Sequence, residues 1–181
     1  MLTSEAELVH KKFMDNNDAA ADKEAKLRFR VAETGDMPKL VEMINAAFAV
    51  ETFLEGPRTD KVRLAAAMEK GEILMAVGED EEPVATVYME RRGKRVYMGL
   101  FGVAPKRQGE GLGRIILDEA ERRLRAEGVT AIDITVLNLR PELLPIYRKL
   151  GFRETGTLPF HMDQKAKPGF ECHLIAMTKD L

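Results

Sequence analysis

The sequence has few of the residues that cross-link a chain or bind metal. Of its 181 residues only one is cysteine and three are histidine, and tryptophan is absent. The single thiol, Cys172, excludes an internal disulfide and a cysteine-rich metal site, and it is typical of a protein from a reducing compartment. The histidines His10, His161 and His173 are scattered along the chain and have no metal-ligand spacing. We therefore expect no bound metal.

Strong net charge and long apolar runs are also missing. The net charge is −2, whereas a general nucleic-acid binder is usually clearly basic. No apolar run approaches the ~20 residues that a membrane-spanning helix needs. The first residues, MLTSEAE, are acidic and lack the charged-then-apolar order of a signal peptide. These absences favour a cytoplasmic protein with neither nucleic acid nor membrane as a partner.

The remaining composition is that of an ordinary globular protein. Hydrophobic residues make up 45% of the chain and charged residues 32%, and the length suits one domain with a substantial core. The periodic patterns begin at residue 27, so we assign the domain to residues 27–181. Residues 1–26 are predicted to be an extension with a short helix over 3–14. This extension is either loosely docked or an oligomer contact through Leu8, Val9 and Phe13.

The hydrophobic periodicity of residues 27–181 predicts the order β-α-α-β-β-β-α-β-α-β-β. The predicted strands lie at 27–31, 73–77, 84–90, 95–103, 131–137, 152–157 and 171–178. The predicted helices start after Asp36 and after Thr59-Asp60, and cover 111–127 and 140–150. Val62 and Leu64 are expected on the buried face of the second helix. A strand meander followed by a β-α-β crossover predicts an α/β (α+β) fold, a mixed, mostly antiparallel sheet of about seven strands with helices on both faces.

A glycine-rich, basic turn at 102–114 connects a predicted strand to the third helix. Its glycines let the backbone approach a ligand closely, and free N–H groups at a helix N-terminus favour a bound anion. Lys106, Arg107 and Arg114 add positive charge. Residues of this kind in this order are typical of a loop that wraps around a phosphate or pyrophosphate.

The spacing within that turn distinguishes it from two better-known phosphate loops. It has the form Gln108-x-x-Gly111-x-Gly113. It lacks the Gly-Lys-Ser/Thr ending of a P-loop and does not match the G-x-G-x-x-G of dinucleotide folds. An ATP-binding loop would also need a lysine at its end and a carboxylate for magnesium, and neither is in position. The turn therefore matches neither of these two phosphate loops.

Two motifs together resemble the GNAT superfamily of acyl-CoA N-acyltransferases. The turn matches the family's pyrophosphate loop, Gln/Arg-x-x-Gly-x-Gly/Ala. About forty residues later, Tyr147, Gly151 and Phe152 match its second signature, Tyr-x-x-x-Gly-Phe. Without the first motif these three residues would be a packing residue, a helix cap and a core residue. The predicted order of elements over 27–179 is also that of the GNAT fold.

The resemblance implies an N-acetyltransferase that moves an acetyl group from acetyl-CoA directly to a primary amine of a small molecule, peptide or protein. In this family the amine attacks the thioester, and the tetrahedral intermediate expels the thiolate. Tyr147 matches the position that donates a proton to that thiolate, and Leu100, Phe101 or Gly102 the backbone N–H that binds the carbonyl. The residues implied in binding acetyl-CoA are Phe101, Gly102, Val103, Gln108, Gly109, Glu110, Gly111, Leu112, Gly113, Arg114, Asn138 and Tyr147.

The sequence departs from the family at two functional positions. Arg140 stands seven residues before Tyr147, where the family usually has asparagine, and Asn138 is the substitute that we expect to reach the pantetheine amides. The fourth strand also lacks the carboxylate that serves many relatives as a general base. A water chain or an amine that arrives neutral would remove the need for one. The other candidate bases are Glu51, Glu55, Glu90, His161, Glu171 and His173.

The acceptor and the oligomeric state are less constrained. The family binds acceptors with the link between its first two helices and with its last two strands, here 51–58 and 158–171. Glu51 and Glu55 would suit a cationic amine, although a solvated loop has the same composition. The two departures favour a non-catalytic acyl-CoA-binding or sensing module as the alternative, and the retained Tyr147 argues against it. Exposed closing strands would permit a homodimer.

Overall fold

The structure is a computed structural model that describes residues 27–162 and 164–181. The predicted extension at 1–26 and its helix therefore lie outside the described residues. Seven strands form, namely β1 (Arg28–Val31), β2 (Glu72–Val77), β3 (Pro83–Arg92), β4 (Arg95–Val103), β5 (Ala131–Leu137), β6 (Arg153–Pro159) and β7 (His173–Asp180). Four helices accompany them, namely α1 (Met37–Ala47), α2 (Lys61–Lys70), α3 (Leu112–Ala126) and α4 (Leu143–Lys149).

All seven strands belong to one sheet in the order β1-β2-β3-β4-β5-β7-β6. Short turns join β2 to β3 and β3 to β4, and such turns produce antiparallel neighbours. The connection from β4 to β5 passes through α3, and these two strands are the parallel pair. The predicted mixed, mostly antiparallel sheet of about seven strands is confirmed.

Helices cover both faces of the sheet, as the continuous apolar runs of the central strands predict. Side chains of β2 alternate between two cores: Leu74 and Ala76 pack in the cluster that contains α3. Ile73 and Met75 point the other way, into the cluster that contains α1 and α2. β2 is therefore buried on both faces of the sheet, between the two cores.

Two local predictions are wrong. Val62 is 79% exposed, whereas Leu64 is fully buried. Residues two positions apart lie about 200° apart around a helix, so both cannot face the core. The last helix is shorter than predicted and begins at Leu143, after a turn that contains Pro141. In the part of the chain that is described, no helix is both long and apolar enough to cross a lipid bilayer.

Candidate active site

The site is a cavity that opens where β4 and β5 part. The two strands pair only over Arg95–Tyr97 and Ala131–Asp133, near the start of each strand. Beyond that point, residues 98–103 of β4 have no partner strand on the side of β5. The resulting cavity has a volume of about 450 Å³ and is lined by both strands and by parts of α1, α4 and the loops around them.

A β-bulge shapes the wall that β4 contributes. β3 advances from Thr86 to Tyr88 while β4 advances by one residue more, from Gly99 to Gly102. Leu100 takes up the extra length with a positive φ of 45°. The buried hydroxyl of Thr86 donates a hydrogen bond to the Leu100 carbonyl at 3.1 Å. The bulge turns the backbone of β4 at the middle of the cavity, where the sequence predicts the thioester contact.

The glycine-rich turn follows β4 directly and ends at the N-terminus of α3. Gly109 and Gly111 both have φ of +82°, and a Cβ at either position would meet no atom within 4 Å. Within the described chain, the backbone N–H groups of residues 109–113 donate to no carbonyl or side chain. Gly111 caps α3 without a side-chain hydrogen bond. The turn therefore presents a row of unpaired N–H groups at the positive end of a 15-residue helix.

The cations of this turn are partly neutralised. Arg107 forms an ion pair with Glu110 at 2.9 Å, within the turn itself. Arg114 pairs with Asp118 at 2.8 Å, one helical turn further along α3. The anion-binding character of the turn therefore depends more on backbone N–H groups and the helix dipole than on these side chains.

Tyr147 reaches the cavity from α4 and is held by aromatic packing. Its ring lies 6.2 Å from that of Phe101 and 5.7 Å from that of Phe152, the latter edge-on. Its hydroxyl forms no hydrogen bond with another described residue. Removal from water raises the pKa of Tyr147 to about 12, so the phenol keeps its proton at neutral pH.

Three charged side chains form a buried cluster in the same cavity. The Glu51 carboxylate lies between two guanidinium groups, 3.3 Å from Nη1 of Arg58 and 3.2 Å from Nη1 of Arg140. Only 5% of the Glu51 side chain is exposed, against 18% for Arg58 and 16% for Arg140. Burial raises the pKa of Glu51, although both arginines oppose the shift. Burial likewise lowers the pKa of Arg58.

The two predicted acceptor segments meet at this cluster. Glu55 donates its backbone N–H to Lys165 at 2.8 Å, and Lys167 donates to Phe53 at 2.9 Å, which makes a short antiparallel contact between the segments. Arg58 also reaches across to the sulfur of Met162 at 3.5 Å. The α1–α2 link and the β6–β7 link together form the wall opposite β4.

The predicted site residues are distributed unevenly around the cavity. Those that line it are Phe101, Gly102, Val103, Gln108 and Tyr147. The six residues from Gly109 to Arg114 continue from Gln108 into α3, next to the cavity. Leu112 among them is buried in the core. Gln108 donates from its side chain to the Val103 carbonyl at 3.2 Å, which ties the turn to β4.

Asn138 does not line the cavity. Its side chain donates to the Glu171 carbonyl at 3.0 Å and accepts from the His173 N–H at 2.9 Å. These bonds connect the end of β5 to the start of β7. A pantetheine contact by Asn138 stays a prediction, and it would have to use the amide N–H that these bonds leave.

Of the six candidate bases, only Glu51 and His161 line the cavity. The carboxylate of Glu90 instead accepts from the Tyr88 hydroxyl and from Arg92, outside the cavity. Sequence reasoning missed the contribution of Arg58, which lies in the quoted segment 51–58 but whose orientation no pattern shows. For Arg140, the sequence indicated only that it stands where the family usually has asparagine. No group of three or more described His, Cys, Asp or Glu residues could hold a metal ion.

Comparison with known families now identifies the fold and the chemistry. The family model for the acetyltransferase (GNAT) domain matches residues 42–164, which contain both motifs and the whole cavity wall of β4. The chain belongs to the GNAT acetyltransferase family. It is therefore an N-acetyltransferase, and the predicted family, fold and enzyme class are confirmed. GNAT enzymes generally take the acetyl group from acetyl-CoA.

Solved structures of GNAT proteins share this fold at low sequence identity. The ribosomal-protein-S18-alanine N-acetyltransferase from Escherichia coli has 17% identity and a TM-score of 0.69, with 85% of this chain and 93% of that chain covered. A ribosomal-protein-alanine N-acetyltransferase from Brucella melitensis has 23% identity and a TM-score of 0.67, covering 85% and 99%. A nourseothricin acetyltransferase has 19% identity and a TM-score of 0.65, covering 86% and 98%. Such identities support the fold and leave the acceptor open.

Proposed function

We propose that this GNAT enzyme transfers acetyl from acetyl-CoA directly to a primary amine of a small molecule or a peptide in the cavity between β4 and β5. One observation carries the proposal. A single cavity extends from Gln108, at the start of the glycine-rich turn, along the unpaired edge of β4 to Tyr147 and the Glu51 cluster. A donor bound along the turn and an amine bound at the cluster would meet beside Tyr147, and holding two reactants together supplies much of the rate.

The backbone around the cavity fits a coenzyme A group. The N–H groups of residues 109–113 and the positive end of α3 suit a pyrophosphate. Residues 98–103 of β4 keep backbone N–H and C=O groups on the side where β5 has turned away. Such an edge can pair with the amides of an extended pantetheine arm as it would with a strand. Phe101 and Val103 add apolar surface along that path.

Tyr147 is the group that we assign as proton donor to the leaving sulfur. A tyrosine phenol is protonated at neutral pH, and burial raises the pKa of Tyr147 further, to about 12; its hydroxyl has no competing partner among the described residues. A thiol has an ordinary pKa near 8.5, well below that of an alkylamine. The sulfur therefore accepts a proton only as it leaves, when negative charge develops on it. A neutral donor at this position stabilises the transition state more than the ground state.

Among the described residues of the cavity wall, Glu51 and His161 are the carboxylate and the imidazole that could remove the proton from the amine. An alkylamine with a pKa near 10 is neutral in only about one molecule in 10³ at pH 7. His161 has Nδ1 2.7 Å from the Pro159 carbonyl, and donation to that carbonyl would leave Nε2 as an acceptor. Both groups are candidates for the base.

The central test is substitution of Tyr147 by phenylalanine. We expect turnover to fall by roughly 10²- to 10⁴-fold, the range of a general acid, while affinity for acetyl-CoA stays unchanged because the ring packing is kept. Thiol release from acetyl-CoA over a panel of amines measures the first quantity, and isothermal titration measures the second. Tyr88→Phe is the matched control. Burial raises the pKa of Tyr88 to about 12 as well, but its hydroxyl donates to Glu90 outside the cavity.

The results distinguish an active transferase from an acyl-CoA-sensing module and test the role of Tyr147. Full activity of Tyr147→Phe would show that Tyr147 is only a packing residue. Tight binding of acetyl-CoA without thiol release from any amine would favour the acyl-CoA-sensing module over an active transferase. Absence of acetyl-CoA binding by the unaltered protein would remove the assignment of the glycine-rich turn.

A further inference from the structure

The side of the cavity formed by Glu51, Arg58, Arg140, His161 and Met162, here called the acceptor wall, contains more positive than negative charge. Two guanidinium groups, those of Arg58 and Arg140, share the single carboxylate of Glu51. The other described residues that line the cavity carry no formal charge except on protonation of His161. Outside the cavity Arg140 also pairs with Glu142, but the Glu142 side chain is 58% exposed and water screens its charge. The described lining of the cavity therefore has an excess of one positive charge.

The guanidinium groups also keep unused hydrogen-bond donors. Arg58 uses only Nη1, toward Glu51 and Met162, so its Nε–H and both hydrogens of Nη2 have no partner among the described residues. Arg140 uses Nε and Nη1, which leaves its Nη2 in the same state. These nitrogens are not among the buried side-chain atoms that lack a partner, so a molecule in the cavity can reach them. Free donors on planar groups at the wall of a cavity point to a ligand that can accept their hydrogen bonds.

Two contacts orient the Arg58 guanidinium. Its guanidinium lies 4.6 Å from the centre of the Phe48 ring, and Glu51 fixes one end of it. Desolvation opposes its charge, since burial lowers the pKa of this arginine despite the neighbouring carboxylate. A second anion would compensate that charge, and a guanidinium binds a carboxylate or phosphonate through two parallel hydrogen bonds.

We propose that the acceptor is a small primary amine that also carries an oxyanion, and that Arg58, assisted by Arg140, binds that oxyanion. The inference rests on the proposed transfer reaction and specifies its acceptor. The amine of such a molecule would lie toward Tyr147 and β4 while its acidic group stays at the cluster. An α-amino acid has the required combination of groups at short separation.

The same cluster argues against a polycationic acceptor. Among the described residues, Glu51 is the only carboxylate in the cavity wall, and each of its oxygens already accepts from an arginine. A second ammonium group placed there would face two guanidinium groups at low dielectric. The sequence-based expectation that Glu51 suits a cationic amine therefore gives way to a proposal of the opposite charge preference. Arg58 lies in the same segment as Glu51 and Arg140 is 89 residues away, and only the fold brings both guanidinium groups onto that carboxylate.

Paired ligands test this preference without requiring turnover. The full-length protein saturated with CoA is titrated with the common L-amino acids, with the carboxamide of each, with aminoalkylphosphonates and with diamines. An acid and its carboxamide share the side chain and an amino group, and the carboxamide lacks the anionic group. We expect at least one amino acid or aminophosphonate to bind at least tenfold more tightly than the counterpart without the anionic group, and diamines to bind weakly. Phosphonates that bind where no carboxylate does would identify the other oxyanion source.

Variants assign the preference to the cluster. Arg58→Met should remove the acid-over-amide ratio while affinity for CoA is retained, whereas Arg153→Met, a change of an exposed arginine outside the cavity, should leave the ratio intact. Glu51→Gln, which removes the negative charge, should preserve or increase the ratio. A cationic acceptor site would show the reverse, with Glu51→Gln weakening binding. If Arg58→Met does not fold, the effect of Glu51→Gln on binding still distinguishes an oxyanion site from a cationic one.

Several results would overturn the proposal. They are equal affinity for acids and amides, tighter binding of diamines, no binding of any acid, or an acid preference unchanged in a folded Arg58→Met variant. If the proposed transfer reaction is wrong, the result is a different one. In that case acids bind to the CoA complex with the expected preference, but acetyl-CoA releases no thiol in their presence.

Discussion

At the scale of single residues, chemistry depends on where a side chain ends. Tyr88 and Tyr147 are the same residue type, and burial raises the pKa of each to about 12. The Tyr88 hydroxyl is satisfied by Glu90, whereas that of Tyr147 has no partner in the described structure. The proton of Tyr147 is therefore available to a ligand, and that of Tyr88 is not. A family motif identifies Tyr147, and its surroundings support the role that we propose for its hydroxyl.

Gly111 offers a second test at this scale. We expect Gly111→Leu to weaken CoA binding on the order of tenfold or more, because the side chain would occupy the space of a pyrophosphate and disturb N–H groups whose charged hydrogen bonds contribute about 1.5–3 kcal/mol each. Isothermal titration with CoA measures the change. A leucine here also strains the backbone, since φ is +82°.

Gly128→Leu is the matched control for this strain. Gly128 ends α3 with φ of +77°, and a Cβ there also meets no atom within 4 Å. Both variants thus lose about 1–2 kcal/mol of stability to the left-handed conformation. Only Gly111 belongs to the glycine-rich turn. Equal CoA affinity in the two variants would contradict the assignment of the turn.

At the scale of elements, the cavity exists because β4 and β5 pair briefly and then separate. An ion pair sits at the point where they are still joined. Arg95 on β4 donates from Nε to Oδ2 of Asp133 on β5 at 2.7 Å, and Thr178 on β7 donates to the same carboxylate. The Arg95 hydrogen bond holds the pKa of Asp133 below its usual value, with a smaller contribution from Thr178.

This shift predicts a pH-dependent contribution to stability. A lowered folded-state pKa means that the stabilisation is present above the unfolded pKa of about 3.9 and is lost as the pH falls through the folded value. We expect Asp133→Asn to reduce the free energy of unfolding by about 0.2–1 kcal/mol at pH 7, because the pair is partly exposed. The deficit relative to the unaltered protein should shrink below about pH 4. Urea unfolding of both proteins at pH 7 and below about pH 4 measures this difference in the free energy of unfolding. A difference that does not change with pH would argue that the substitution removes packing and not charge.

At the scale of the whole molecule, the acceptor wall is closed by a third, small hydrophobic cluster. Phe53 and Leu54 from the α1–α2 link pack there against Leu137 at the end of β5 and Leu174 in β7. This cluster lies apart from the two main cores, which hold the sheet and α3. The donor side and the acceptor side of the cavity are therefore supported by different parts of the molecule.

Leu54→Ala should consequently affect the two sides unequally. Leu54 is 3% exposed, and such a truncation costs about 2–5 kcal/mol where it leaves a cavity. We expect the KM for the acceptor amine to rise while affinity for CoA is unchanged. Leu124→Ala, a fully buried leucine of α3 in a main core, is the control of similar cost. Its expected effect is lower stability with an unchanged KM, so a similar rise in both variants would count against separate support.

The sequence by itself determined the sheet, the order of its elements, the glycine-rich turn and the identity of Tyr147. These depend on local periodicity and on short motifs whose residues are neighbours in the chain. Single-helix orientation was already harder, as Val62 shows, because helix periodicity has to be phased on a core that the window does not contain. The bulge at Leu100 and the early separation of β4 from β5 leave no clear local signature.

Only the tertiary structure decided the charge of the acceptor wall. Glu51, Arg58 and Arg140 come from two links that are 89 residues apart at their most distant pair, and their approach depends on how those links pack over the end of the sheet. In the sequence, Glu51 and Glu55 are two acids that would suit a cationic amine. In the fold, the positive charges of Arg58 and Arg140 outnumber the single negative charge of Glu51. The electrostatics of a buried group depend on its neighbours in space.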